Sequence, residues 1–202
     1  MKALCFDYGA GNLHSLGRAL ASIGVEATVT TDLTYSLATA NLLILPGVGA
    51  FGAAAGRLAP WKKNVHDALA SGLPAIGICL GMQLLFDSSE EGAGEGIGLI
   101  AGKVTKLRAR RVPHIGWTDV SGASRAGFPS VAGFMYFAHS YACRPNLEAE
   151  DDSLVTAWAT HEDDRFAAIV RKNNAIGIQF HPEKSSRAGV DWLASAVKAV
   201  TT

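Results

Sequence analysis

The chain is short of charge, of cysteine and of long hydrophobic runs, and each shortage excludes something. Among its 202 residues, 18 basic and 18 acidic side chains cancel. No run of Lys or Arg exceeds two, so no electrostatic footprint for nucleic acid or an anionic membrane surface is present. The three cysteines, Cys5, Cys79 and Cys143, are odd in number and form no CxxC pair. That excludes a disulfide framework and fits a reducing compartment. The apolar run Leu73 to Phe86 falls short of the roughly 20 residues that span a bilayer. Too few apolar residues precede Asp7 for the h-region of a signal peptide. A cytoplasmic protein without nucleic-acid or membrane partners is expected. Metal-binding spacing is lacking too: histidines at 14, 66, 114, 139, 161 and 181 include no HExxH and no His/Cys pair at ligand spacing. His14 and His66 fall on predicted helices and read as surface residues; no metal and no cofactor are expected.

Apolar residues make up 49% of the chain and charged ones 18%, an ordinary globular balance. A chain of this length buries about 70% of its unfolded surface, enough for one core, so residues 1–202 are expected to form a single domain. The first half alternates short apolar runs with helical patterns. "KALCF" reads as a buried strand, and "LHSLGRALASIG" as a helix on Leu13, Leu16, Leu20 and Ile23, with Gly24 as its stop. "VEATVT" and "LLILP" read as strands, "AAAGRLAP…VHDALASG" as a helix interrupted near Pro60, "PAIGIC" as a strand and "LGMQLLFDSS" as a helix. Strands apolar on both faces, alternating with helices, predict an α/β fold with a mostly parallel central sheet. Ligands bind such sheets beyond the carboxyl ends of the strands. After residue 96 the segments "GLIAGKVTKLRA", "FMYFAHSYAC", "SLVTAWAT", "FAAIVRK" and "AIGIQF" predict antiparallel additions, and "AGVDWLASAVKAV" a closing helix.

Two stretches carry candidate chemistry. Cys79 ends the strand "PAIGIC" where "LGMQLLF" begins a helix. A lone cysteine in an apolar run reads as core filling, but a strand-to-helix turn presents its side chain above the sheet. Gly77 and Gly81 leave room for that turn, and helical N–H groups favour a thiolate and an oxyanion. His181 and Glu183 flank Pro182 directly after "AIGIQF". An extended backbone would point both the same way, so that the carboxylate orients the imidazole. Neither stretch decides alone; together they favour a Cys-His-Glu site. The glycines at 47, 49 and 52 match GxGxxG, nominally a dinucleotide loop. Because the strand before it is not the first and the next one ends in Cys79, a glycine loop beside the cysteine is the better reading.

Six motifs in order, "DYGAGNLHS" (7–15), "PGVGAFG" (46–52), "GICLGMQLLF" (77–86), "PHIGW" (113–117), "YFAHSY" (136–141) and "GIQFHPEKSS" (177–186), resemble those of class I, triad-type glutamine amidotransferases. More narrowly, they resemble the glutaminase subunits of imidazole glycerol phosphate synthases of histidine biosynthesis. The resemblance implies a flavodoxin-like amidotransferase fold. It implies that Cys79 attacks the carboxamide of L-glutamine and releases ammonia, with His181 as base and acid and Glu183 orienting it. It places oxyanion donors at Leu80 and the Val48–Gly49 segment, and glutamine contacts at Gln83, Glu91 and the backbone of His139, Ser140 and Tyr141. It also implies a separate (β/α)₈-barrel cyclase as heterodimer partner, docked on Asn12, Trp117, Tyr136 and Lys184. Thr118 stands where relatives often carry Asn, and Ala10 at a variable position. A glutaminase serving another synthase, such as pyridoxal phosphate synthase, is the alternative within the same chemistry; a nucleotide-binding or scaffold domain is the alternative outside it.

Overall fold

A computed structural model describes residues 1–9, 13–34, 36–122, 131–148 and 154–202. Its first half is built from β1 (Lys2–Phe6), α1 (Leu13–Ser22), β2 (Glu26–Thr30), β3 (Leu43–Leu45), α2 (Phe51–Leu58), α3 (Lys62–Ala70), β4 (Ala75–Ile78) and α4 (Leu80–Gln83). Then follow β5 (Phe86–Ser89), β6 (Ile100–Lys106), β7 (His114–Ser121), β8 (Ala132–His139), β9 (Tyr141–Pro145), β10 (Val155–His161), β11 (Asp164–Lys172), β12 (Ala175–Ile178) and α5 (Ser186–Thr201). The central sheet has nine strands in the order β2-β1-β3-β4-β12-β11-β10-β7-β8. The pairs from β2 to β12 are parallel and those from β12 to β8 antiparallel. A second sheet, β5-β6-β9, lies beside it.

Beyond Lys2, the inner parallel strands β1, β3 and β4 are apolar because both faces are covered, whereas β2, at the edge, is largely exposed. Ala3 and Cys5 of β1, Ile44 of β3, and Ile76 and Ile78 of β4 pack with Leu16 and Leu20 of α1 and Trp192, Leu193 and Val197 of α5. Leu4, Phe6, Leu43 and Leu45 point the other way, onto Phe51 and Leu58 of α2 and Val65 and Leu69 of α3. Each such fully buried aliphatic or aromatic side chain contributes about 1.5–3 kcal/mol relative to exposure. Pro60 sits in a 3₁₀ turn between α2 and α3, as the interrupted pattern predicts.

Three expectations need correction. "LGMQLLFDSS" is not one helix: α4 is a single turn, and Phe86–Ser89 is strand β5, paired with β6. Asp, Ser and Ser favour helix interiors little, and the partner strand decides. "FMYFAHSYAC" is two strands, since β8 pairs with β7 in the large sheet and β9 with β6 in the small one, parting at Ser140. "PHIGW" opens a strand, β7, whose residues Ile115, Trp117, Asp119 and Ser121 are exposed. Finally, Glu183 is not on extended backbone but in a one-turn 3₁₀ helix, Pro182–Lys184. Among the described residues no helix is long and apolar enough to cross a membrane.

Candidate active site

β4 and β12 are adjacent parallel strands, in register from Ala75↔Ala175 to Ile78↔Ile178. Their carboxyl ends therefore deliver Cys79 and the 179–183 segment to one sheet edge, from positions far apart in sequence. Cys79 has φ 52° and ψ −102°, a backbone conformation costing a non-glycine residue about 1–3 kcal/mol. It is held there from both sides: its N–H donates to the Ile178 carbonyl at 2.6 Å, and its carbonyl accepts the Gln83 N–H at 3.1 Å. The turn fits only because glycine flanks it. A Cβ on Gly77 would lie 2.6 Å from the Gly81 carbonyl oxygen, and one on Gly81 would overlap the Leu45 carbonyl. With α4 only one turn long, its local N–H groups, rather than a long helix dipole, are what Cys79 has available.

His181 is buried, with an extended backbone at φ −101° and ψ 98°. Its N–H donates to the Tyr136 carbonyl (2.8 Å), and its own carbonyl accepts the Ser185 hydroxyl (2.7 Å). The Nδ1 atom lies 2.9 Å from Glu183 Oε1, in a pair whose side chains are both buried. Burial works against the imidazolium, but the neighbouring Cys79 sulfur and the Glu183 carboxylate outweigh it and raise the His181 pKa to about 10. His181 Nε2 and Glu183 Oε2 are buried without a hydrogen-bond partner that meets geometric limits in this resting arrangement.

Above Cys79 opens a cleft of about 210 Å³. Its lining contains Val48, Gly49, Cys79, Leu80, Gln83, Glu91, His139, Ser140 and Tyr141, and adds Pro113, Ile115 and Ala138. The glycine loop thus lies beside the cysteine, with Gly49 at φ 134°. The Glu91 carboxylate accepts the Phe51 N–H at 2.8 Å, which fixes it at the start of α2. Gln83 is buried and donates Nε2–H to the Tyr141 carbonyl at 3.0 Å. His139 uses both ring nitrogens inside the protein. Nδ1 donates to the same Tyr141 carbonyl (2.9 Å), and Nε2 lies 3.0 Å from His114 Nδ1. Since a carbonyl can only accept, Nδ1–H of His139 is fixed, its Nε2 accepts from His114, and His114 Nε2 (2.7 Å) accepts from the Thr118 hydroxyl. Both rings stay neutral: burial, then the nearby His161, lowers His114 to about 4, and burial above all lowers His139 to about 3. Only the backbone of His139 is left to meet a ligand.

Gln179 is a residue the motif reading passed over. It is fully buried, and its Nε2 lies 3.5 Å from Cys79 Sγ. A glutamine ending an otherwise apolar strand was the available signal. Trp117, Tyr136 and Lys184 come together on the outer face of the edge: the two rings meet edge to face at 6.0 Å, and Lys184 Nζ lies 5.8 Å from the Tyr136 ring. Asn12 and Ala10 lie outside the described residues. His14 is exposed on α1, and His66 is half-buried on α3 beside Asp67. Among the described residues no group of three or more His, Cys, Asp or Glu side chains is placed to hold a metal ion.

The model of the family "Glutamine amidotransferase class-I" matches residues 4–198. "Imidazole glycerol phosphate synthase subunit HisH" of Corynebacterium diphtheriae is 44% identical, over 95% of this chain and 96% of the relative. The proteins of the same name from Pyrococcus furiosus and Bacillus subtilis are 40% and 39% identical over 93% and 95% of this chain, and 93% of each relative is covered. A solved glutamine amidotransferase superposes with a TM-score of 0.76 at 16% identity, over 99% of this chain and 100% of that one. A chain of PurLQS from Thermotoga maritima gives 0.72 at 20%, over 98% and 96%, and at such identities the likeness concerns the fold. This chain belongs to the class-I glutamine amidotransferase family.

Proposed function

We propose that the chain is the glutaminase subunit of an imidazole glycerol phosphate synthase. It hydrolyses L-glutamine and passes ammonia to a (β/α)₈-barrel cyclase subunit that forms imidazole glycerol phosphate and AICAR in histidine biosynthesis. Residues 1–202 act as one glutaminase domain of a cytoplasmic heterodimer. The observation that carries this reading is the buried His181–Glu183 pair set beside Cys79 at the ends of two adjacent parallel strands, under a cleft of amino-acid size.

The chemistry follows from the groups present. Cys79 gives its proton to His181, and the thiolate attacks the carboxamide carbon of glutamine. The carbonyl oxygen becomes an oxyanion for the N–H groups of Leu80 and the Val48–Gly49 segment, where losing one donor costs about 10²–10³ in rate. As the tetrahedral species collapses, the C–N bond breaks and the His181 imidazolium protonates the departing nitrogen, leaving ammonia and a Cys79 thioester. Water, deprotonated by His181, then attacks the thioester carbonyl, and glutamate and the free thiol are released. Glu183 keeps Nδ1–H pointing at itself and Nε2 at the reaction. The Glu91 carboxylate suits the α-ammonium of the substrate, while Gln83 and the 139–141 backbone frame its other groups.

The cleft opens on the outer face of β7 and β8. Ile115 and Ala138 line both, and Ile115, Trp117 and Phe134 are 63%, 49% and 64% exposed. An apolar face continuous with the mouth of an ammonia-releasing cleft fits a partner that must keep ammonia from water. The test is glutamine hydrolysis with and without a cyclase barrel and its nucleotide ligand: weak turnover alone, strong stimulation with the pair. Cys79→Ala that retained turnover would overturn the reading.

A further inference from the structure

We propose that Gln179 is a further catalytic residue of this site, whose side-chain amide donates a hydrogen bond to the Cys79 sulfur and so favours the thiolate. The inference rests on Cys79 being the nucleophile.

The direction of the amide is decided two residues away. The Tyr141 carbonyl can only accept, so Gln83 presents its NH₂ end there, at 3.0 Å. The same NH₂ group faces Gln179 Oε1 at 3.5 Å, which turns the Gln179 nitrogen toward Cys79 Sγ, also at 3.5 Å. That separation is an ordinary one for an N–H donor and the larger sulfur atom. A flip of Gln83 would set its oxygen against the Tyr141 carbonyl, and a flip of Gln179 alone would set NH₂ against NH₂. The backbone of Gln179 is fixed as well, with its N–H on the Ala168 carbonyl at 2.9 Å. An amide sealed in an apolar strand end is costly unless both of its ends are bonded, and the far end here has the sulfur as its partner.

A thiol is a poor acceptor and a thiolate a good one, so the bond strengthens as Cys79 loses its proton. His181 removes that proton from one side of the sulfur; Gln179 meets the resulting charge from another. The donor then remains in place for the sulfur of the thioester and again for the thiolate that departs on hydrolysis.

The test is the pH dependence of iodoacetamide alkylation of Cys79, followed on the peptide containing it, together with steady-state glutamine kinetics. In Gln179→Met the apparent thiol pKa rises by about one unit and kcat falls about tenfold, while KM stays within about twofold of wild type. Gln179→Glu, which turns a carboxylate toward the sulfur, moves the profile further in the same direction. Should the Met variant not fold, Gln179→Asn withdraws the donor by one methylene and gives the same readout. An alkylation profile coincident with wild type in a folded variant overturns the inference. That result is distinct from failure of the glutaminase reading, which is marked by turnover surviving in Cys79→Ala.

Discussion

His181 shows how a single buried side chain is set to its task. Desolvation alone would make it neutral; the Cys79 sulfur and Glu183 make it a strong proton holder, with a pKa near 10. With the imidazolium protonating the leaving ammonia, as proposed, activity should persist to alkaline pH and fall as pH rises through the His181 value. Glu183→Gln removes one of the two groups that favour the charged ring. The expected outcome is a fall in kcat of about 10² or more, with the alkaline limb of the kcat profile displaced to lower pH. An unshifted limb would mean that Glu183 does not set the histidine's proton affinity. That Cys79, His181 and Glu183 meet at one sheet edge was legible in the residues, since strand ends are where such folds place chemistry. What could not be read was the partnership of Gln83 and Gln179, because polar side chains in apolar runs acquire meaning only when β4, β9 and β12 are brought together.

At the scale of the element, the short α4 turn and the β7–β8 pair each make a prediction. α4 packs so closely on β3 that Gly81→Ala drives a methyl group into the Leu45 carbonyl. A loss of about 1–3 kcal/mol or more, read as a lowered urea midpoint, is expected together with loss of turnover, since the Cys79 elbow must move. Gly17→Ala is the control: its Cβ meets nothing within 4 Å on α1, and it gains about 0.5–1 kcal/mol. In β7 and β8 the neutral pair His114 and His139 ties the sheet edge to the Tyr141 carbonyl. Both groups have folded pKa values, about 4 and about 3, below the unfolded value near 6.5. The unfolded chain therefore binds more protons, and their contribution, complete above pH 6.5, is lost as pH falls toward 4 and 3. His181, shifted upward, loses its contribution only at alkaline pH, so it does not mask this. The Tm should drop between pH 7 and 4.5, and less steeply in His114→Phe; equal slopes would refute the linkage. The sequence pattern showed β1, β3 and β4 well because both faces are apolar. It merged α4 with β5 because one turn is too short for a period.

For the whole molecule, the question is why a chain with balanced charge leaves large apolar side chains in water at one edge of its sheet. Ile115, Trp117 and Phe134 stand on the outer face of β7 and β8, and the register sets Trp117 opposite Tyr136. Inward residues of the same strands, among them His114, Met135, Phe137 and His139, fill the core, so this edge is rigid. Its backbone also reaches His181: Tyr136 accepts the His181 N–H and donates to Ser185 Oγ (2.9 Å), whose hydroxyl in turn holds the His181 carbonyl. A partner pressing on this face therefore meets a strand bonded directly to His181 and a cleft whose rim it would close. If the face is the docking site, Trp117→Glu places a charge where an apolar contact is needed without touching Cys79, His181 or the core. Turnover of the isolated subunit and its Tm should be unchanged. The cyclase concentration giving half-maximal stimulation should rise about 10–100-fold, the loss expected for an aromatic residue at the centre of an interface. Unaltered stimulation by the cyclase would place docking elsewhere and leave the exposed edge to another contact; a lowered basal rate would show that Trp117 supports the cleft itself.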